Sequence, residues 1–313
     1  MITHSDVSAA RRRISGSVRR TPLLELDSEL VPAAARTWLK LEQLQHTGSF
    51  KARGAFNRVV SALEEGGIGE SGVVAASGGN AGMAVAHAAA RYGIPARVYV
   101  PENAPAFKRA KLRELGAEVV AVGERYSEAY RAAVEDAERH GAAFCHAYDQ
   151  PEMCAGNGTL GTELFEQTGG ELDTVLLAVG GGGLMAGVAA ALESHARVVG
   201  VEPTGVPTLH TALAEGGPTD VAVSGVAKDS LGATRIGEIA HEVAGRTGAR
   251  SVLVDDEHIL AARRRLWQRY RIVVEHGTAA ALAALLAGEY QPERGERLAV
   301  VLCGANTDPT DLV

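Results

Sequence analysis

Thr174-Val175-Leu176-Leu177-Ala178-Val179-Gly180-Gly181-Gly182-Gly183-Leu184 is an apolar run that breaks into four consecutive glycines. Its apolar half, residues 174–179, has the length and content of a strand buried on both faces. The Ala- and Val-rich residues 184–192 that follow predict a helix packed on that strand. Glycines at such a junction let bare backbone N–H groups converge at a helix N-terminus, where an anion is favoured. A tight strand-to-helix turn without a ligand is the other reading of the same residues. The spacing does not fit GxxxxGK[ST], and no GxGxxG with its acidic partner stands out, so a nucleotide-binding reading stays weak.

The same strand–turn–helix order recurs on either side. Residues 73–76 form an apolar run that leads through Ser77-Gly78-Gly79-Asn80 into a helical pattern at 81–91. Strands are predicted at 96–100, 117–122 and 142–146, alternating with helices at 107–115 and 126–139. After the tetraglycine unit come a strand at 198–202, a helix at 236–242, a strand at 251–254, helices at 255–270 and 279–286, and a last strand at 298–302. Alternation at this length is what the crossovers of a parallel sheet require. The fold class is therefore α/β. Two open twisted parallel-sheet domains are expected, with a ligand in the cleft between them, since such sheets bind at the carboxyl ends of their strands.

Composition bounds the function. The chain has 313 residues, 46% hydrophobic and 22% charged, with 37 glycines and a mean hydropathy near zero, as in a folded, water-soluble protein. Its formal charge of -7 argues against nucleic-acid binding. Residues 9–20 carry five arginines, but Ile14 and Val18 interrupt them, and they read as the wet face of an opening helix rather than a targeting peptide. No apolar stretch is long enough for a membrane span. Cys145, Cys154 and Cys303 are scattered, without CxxC, which fits free thiols in a reducing compartment and a cytoplasmic location. The ten histidines form no HExxH, so no catalytic transition metal is expected.

Two further glycine-rich turns and one lysine carry candidate chemistry. In Ser77-Gly78-Gly79-Asn80 a hydroxyl, an amide and flexible backbone at a strand end suit a carboxylate or a ring oxygen; an N-cap is the alternative. Cys303-Gly304-Ala305-Asn306 follows another apolar strand, and its cysteine reads equally as a buried strand end. Lys51 lies in Thr47-Gly48-Ser49-Phe50-Lys51-Ala52-Arg53-Gly54, between a Gly/Ser turn and a packed helix. A solvated surface lysine is the default. At the mouth of a low-dielectric site its amine would titrate low and could form a Schiff base.

In order along the chain, these parts resemble the serine/threonine dehydratase group of the tryptophan-synthase-β-like pyridoxal 5'-phosphate (PLP) enzymes, fold type II. The resemblance runs from Ile14-Ser15-Gly16-Ser17-Val18-Arg19-Arg20-Thr21-Pro22-Leu23 through Leu41-Glu42-Gln43-Leu44-Gln45-His46 and the Lys51 motif. It continues through Ser77 to Asn80, Gly156-Asn157-Gly158-Thr159, the tetraglycine, Val201-Glu202-Pro203 and Cys303 to Asn306. It implies that Lys51 holds PLP and later transfers protons, with Phe50 against the cofactor. Gly180, Gly181, Gly182, Gly183 and Leu184 would bind its phosphate, and Asn80 its 3-oxygen. Ser77, Gly78, Gly79, Asn80 and Ala81 would receive the substrate, and Cys303 would face the ring nitrogen. A neutral partner there makes the ring a weaker electron sink, which favours prompt β-elimination. The implied reaction is dehydration and deamination of a small β-hydroxy amino acid, L-threonine or L-serine, by a homodimer. The implied domains are 1–71 and 150–313 as the large one and 72–149 as the small one.

The departures from the family pattern bear on substrate choice. Ala81 stands where a histidine is usual, Asn157 where a glutamine is, and Glu275-His276-Gly277-Thr278-Ala279 where Glu-Pro-x-Gly-Ala is. These leave 3-hydroxyaspartate or a bulkier β-hydroxy amino acid open. Serine-racemase-like relatives carry a serine at the position of Gly78, whose lack of a hydroxyl disfavours racemisation. A divalent-cation site in some relatives would use Glu202 and the Val206 carbonyl, but its Asp position matches Thr208, so Glu202 is only a weak candidate ligand. The sequence ends soon after the Cys303 motif, without the length of a regulatory domain, which suggests a catabolic or specialised role. Rival readings are β-replacement chemistry, whose relatives carry a Thr-Ser-Gly-Asn-Thr-type loop, and PLP binding without turnover.

Overall fold

The computed structural model describes residues 1–312. Its strands are β1 (Leu23–Glu25), β2 (Arg36–Lys40), β3 (Val73–Ala76), β4 (Ala96–Val100), β5 (Glu118–Ala121), β6 (Ala143–Cys145), β7 (Thr174–Ala178), β8 (Arg197–Pro203), β9 (Arg250–Val254) and β10 (Arg297–Val301). The helices are α1 (His4–Arg13), α2 (Lys51–Glu64), α3 (Asn80–Arg91), α4 (Ala106–Glu114), α5 (Tyr126–His140), α6 (Pro151–Gln167), α7 (Gly183–Leu192), α8 (Thr208–Glu215), α9 (Glu238–Thr247), α10 (Asp256–Tyr270) and α11 (His276–Ala287). One sheet has the order β1-β2-β10-β7-β8-β9 and the other β5-β4-β3-β6. Every residue of β7 and of β3 is buried. That explains why these strands read as continuous apolar runs, since helices cover both faces of a parallel sheet.

Three expectations need correction. The larger sheet is not wholly parallel, because β1 pairs antiparallel with β2, Leu23 opposite Lys40. The connection over residues 26–35 is too short for a parallel crossover, and antiparallel pairing at the edge is what such a link allows. The arginines of residues 9–20 do not simply face water: Arg11 forms two bonds to Glu166 at 2.5 and 2.7 Å and Arg13 one to Glu64 at 2.7 Å. They dock the N-terminal segment onto α6 and α2. The helix expected at 236–242 runs from Glu238 to Thr247, and Asp149 caps its start by accepting from the N–H groups of Glu238 and Ile239.

Helix α6 was not anticipated, because Gly156, Gly158 and Gly161 look like helix breakers. Gly156 faces α2, where a Cβ would lie 2.6 Å from the Arg53 carbonyl oxygen, and contact with α7 accounts for Gly158 and Gly161. A Cβ on Gly187 would lie 2.1 Å from the Cys154 carbonyl oxygen and one on Gly158 2.5 Å from that of Gly187. The two backbones meet where neither tolerates a side chain. Among the described residues no helix is long and apolar enough to cross a membrane.

Beneath the first turns of α2 lies a cluster of buried charge. Arg53 donates to both Glu42 oxygens at 2.7 and 2.8 Å and to Glu163 at 3.0 Å. Lys40 donates to the other Glu163 oxygen, to the Thr21 carbonyl at 2.8 Å and to Gln167 at 2.7 Å. Thr21 closes the ring through its hydroxyl, 2.6 Å from Glu42. Two cations face two carboxylates, all of them less than a tenth exposed. Removing one partner of such a group leaves an uncompensated buried charge, at a cost of about 3–5 kcal/mol. Arg53→Met is therefore expected to lower unfolding stability by about 3–5 kcal/mol in a urea titration. Arg36→Ala, which breaks the exposed pair with Glu25, should leave the midpoint essentially unchanged.

Candidate active site

The site assembles at the carboxyl ends of the strands. Ser49 forms an isolated bridge with Gly304, and the Phe50 N–H donates to the Cys303 carbonyl at 3.0 Å. The turn after β10 thus holds the turn that delivers Lys51 as the first residue of α2. The Lys51 Nζ lies 5.1 Å from the centroid of the Phe50 ring and donates to the Ala147 carbonyl at 2.6 Å. Burial brings its amine down from 10.5 to about 8, against the opposing pull of Cys154, Cys303 and Glu275. At that value roughly a tenth of the amine is uncharged at pH 7 and about half at pH 8, far more than an ordinary lysine offers to a nucleophilic step.

Residues 147–148 join Lys51 to the tetraglycine. While Ala147 accepts from the lysine, the Tyr148 ring covers Gly181, where a Cβ would fall 2.3 Å from the ring. Gly182 has φ +83° and abuts Ile236 and Ala240. Only glycine satisfies this combination of positive φ and close approach. The loop leads directly into α7, whose leading N–H groups have no intrahelical acceptors and carry the positive end of the helix dipole. Leu184, in the same first turn, is buried.

Cys303 lies beside the lysine's turn. Its Sγ is 3.1 Å from the Thr278 hydroxyl, which also lies 3.0 Å from the Gly304 carbonyl. Burial pushes the Cys303 thiol up to about 12, so it is neutral under ordinary conditions. The Ser77–Gly79 loop projects from β3, with the Ser77 hydroxyl accepting from the Gly79 N–H at 3.2 Å. A Cβ on Gly78 would touch only Val100, at 3.5 Å, and one on Gly79 only Ser77, at 4.0 Å. Asn80 begins α3, and its Nδ2 donates to Glu275 at 2.8 Å. Ala81, next to it, is buried.

These contacts join Phe50 to Cys303, Lys51 to the tetraglycine through residues 147–148, and Asn80 to Gly304 through Glu275. Glu202 is fully occupied: it accepts from the Thr208 hydroxyl at 3.0 Å, the Leu209 N–H at 2.6 Å, the His210 N–H at 2.8 Å and the Ser251 hydroxyl at 2.7 Å. The Val206 carbonyl accepts from the Thr208 N–H at 3.1 Å. Glu202 therefore caps α8, with each of its oxygens accepting from two donors of the chain. Among the described residues no group of three His, Cys, Asp or Glu could hold a metal ion. Tyr148, Ala147, Thr278 and Glu275 were not picked out as site residues, and only the unusual 275–279 segment gave any signal.

The donor set fits PLP. A buried amine of lowered pKa can bind an aldehyde covalently, N–H groups at a helix start can hold a phosphate, an amide can reach a ring oxygen, and a neutral thiol can face a ring nitrogen.

Comparison with known proteins gives the same picture. Residues 14–304 match the family model described as pyridoxal-phosphate dependent enzyme. Phenylserine dehydratase of Ralstonia pickettii is 38% identical over 97% of this chain and 93% of its own. L-threonine ammonia-lyase of Thermotoga maritima is 35% identical over 98% of this chain and 76% of its own. Among solved structures, serine racemase from Dictyostelium discoideum superposes with a TM-score of 0.90 at 31% identity, covering 98% of this chain and 99% of that one.

The lowered amine can be tested directly. Lys51 is an ammonium below about pH 8 and a free amine above it. In cofactor-free protein, its acylation by an amine-selective reagent should rise through about pH 8 when followed by peptide mass spectrometry, and not near the ordinary lysine value of 10.5. A Lys51 profile that rises only near 10.5 would contradict the burial argument.

Proposed function

The chain belongs to the pyridoxal-phosphate-dependent enzymes, in their threonine/serine dehydratase group, and on that premise we propose that it converts L-threonine or L-serine to a 2-oxo acid and ammonia. The observation that carries this reading is the pairing of a partly neutral Lys51 amine with a neutral Cys303 thiol at one site. When bound, PLP supplies an electron sink that acidifies the substrate's α-carbon and loosens its β-hydroxyl.

The chain's own residues then have separate tasks. Phe50 would lie against the cofactor, and the N–H groups of Gly180, Gly181, Gly182, Gly183 and Leu184 would hold its phosphate. Asn80 would direct an N–H at the ring oxygen, and Cys303 would meet the ring nitrogen without delivering a full charge. The Ser77–Gly79 loop would take the substrate carboxylate, with Ala81 behind it. Lys51 Nζ would receive the α-proton, and a proton passed to the departing β-hydroxyl would complete a molecule of water. The released enamine tautomerises to an imine, which takes up one water to give the 2-oxo acid and ammonia.

Residues 72–149 act as the small domain in this reading. They close on the large one, residues 1–71 and 150–313, to exclude water. We further take the protein to be a cytoplasmic homodimer, in keeping with its three free cysteines.

A second reading keeps the reaction and enlarges the substrate. Ala81 in place of a larger residue favours a bulkier β-substituent, as in phenylserine. Racemisation is disfavoured by the missing hydroxyl at Gly78.

The test is 2-oxo acid release by PLP-loaded protein from L-threonine, L-serine, D-serine, threo-3-hydroxyaspartate and phenylserine. L-Threonine or L-serine is expected to be turned over, and Lys51→Ala should lower the rate by at least about 10³-fold, as for loss of a group essential to covalent and proton-transfer steps. A PLP absorbance that depends on Lys51, without product from any substrate, would leave a binding protein and overturn the dehydratase reading.

A further inference from the structure

We infer that Asn306 is a positioning residue that orients the Asn80 amide and locks the substrate loop onto the turn carrying Lys51. Its side-chain amide has two hydrogens, and both are used: one reaches the Thr47 carbonyl at 2.8 Å and the other the Asn80 Oδ1 at 2.6 Å. Its backbone N–H donates to Glu275 Oε1 at 3.1 Å, the oxygen that also accepts from Asn80 Nδ2 at 2.8 Å. Asn306 and Glu275 thereby grip opposite ends of the Asn80 amide. An amide is nearly symmetric in shape, so only its partners decide which end is the donor. Here a donor meets Oδ1 and an acceptor meets Nδ2, leaving the second Nδ2 hydrogen for a ligand.

The same residue fastens the lysine's turn. Thr47 is a β-branched residue held at φ +59°, a conformation that needs support from its surroundings. Asn306 binds its carbonyl, and the next residues of that turn pair with the 304–305 backbone through Gly48 and Ser49. One side chain therefore joins the turn that presents Lys51 to the loop that begins α3, two segments that are far apart in sequence and lie on different sheets.

The inference rests on the dehydratase reading. The experiment compares holoenzyme of the wild type with Asn306→Ala and with Asn306→Asp, which keeps the shape but removes both donors. KM for the amino acid and kcat are measured alongside the visible absorbance and dissociation constant of bound PLP. Loss of the side-chain bonds should raise KM about tenfold, as expected for roughly 1.4 kcal/mol. The change in kcat should stay within about threefold in comparison. The PLP band should shift, because the donor to the ring oxygen is no longer fixed, while PLP affinity is largely kept.

If either folded variant keeps the wild-type KM and band, Asn306 is not a positioning residue. A fall in thermal stability and PLP affinity without a KM change also overturns the inference, since it marks a merely structural contact. If the wild type itself releases no 2-oxo acid, the dehydratase reading fails. The absorbance comparison still decides the Asn306 contact: a shifted band supports it and an unchanged one overturns it.

Discussion

The buried ion cluster of Lys40, Glu42, Arg53 and Glu163 is the constraint on which the rest of the site depends. It draws one member from β2, one from the segment just after it, one from α2 and one from α6. Burial alone would raise the Glu163 carboxyl, but Arg53 and Lys40 together take it below the ordinary carboxylate value. Each charge is tolerable inside only because the others are there. Arg53 lies in the same first turn of α2 as Lys51. A helix that slid or rotated to move the lysine would also pull a guanidinium away from two carboxylates. The position of the reactive amine is thus held by electrostatics about half a turn away as well as by its own bond to the Ala147 carbonyl.

The parts of this arrangement legible in the sequence are those written in local backbone chemistry. The tetraglycine, the Ser77–Asn80 turn and the buried runs of β3 and β7 each carry their own signal of glycine content or unbroken apolarity. What remained hidden was imposed by partners distant in the chain. Gly156 and Gly158 look like helix breakers until the backbone of α2 is seen pressed against the first and that of α7 against the second. Lys40, at the end of a five-residue strand, looks like a solvated residue, and nothing local shows that Glu163 waits for it inside. Tyr148 and Thr278 follow the same logic. Their roles come from lying beneath Gly181 and beside Cys303, positions that exist only once β7 and β10 are neighbours in the sheet.

The electrostatic character of the centre follows from these placements. The groups that act on Lys51 are a thiol at Cys154, a second thiol at Cys303 and the Glu275 carboxyl. Burial pushes both thiols up to about 12. The one carboxylate in this shell, Glu275, is itself raised by burial, although Asn80 and the Asn306 N–H both donate to it. A site built this way keeps its lysine amine partly neutral, because little negative charge is offered to stabilise the ammonium.

The same scarcity of charge bears on the course of the reaction. A carboxylate opposite a pyridine nitrogen would hold that nitrogen protonated and let negative charge accumulate on the ring. In the proposed reaction a thiol of high pKa would not do so, and negative charge developing at the substrate's α-carbon would be relieved by expelling the β-substituent. Gly78 would act by a separate route, because a glycine has no hydroxyl with which to return a proton to the opposite face. The thiol bears on how long a carbanion could last and the glycine on whether a proton could be returned, and the two residues follow β10 and β3, strands of different sheets.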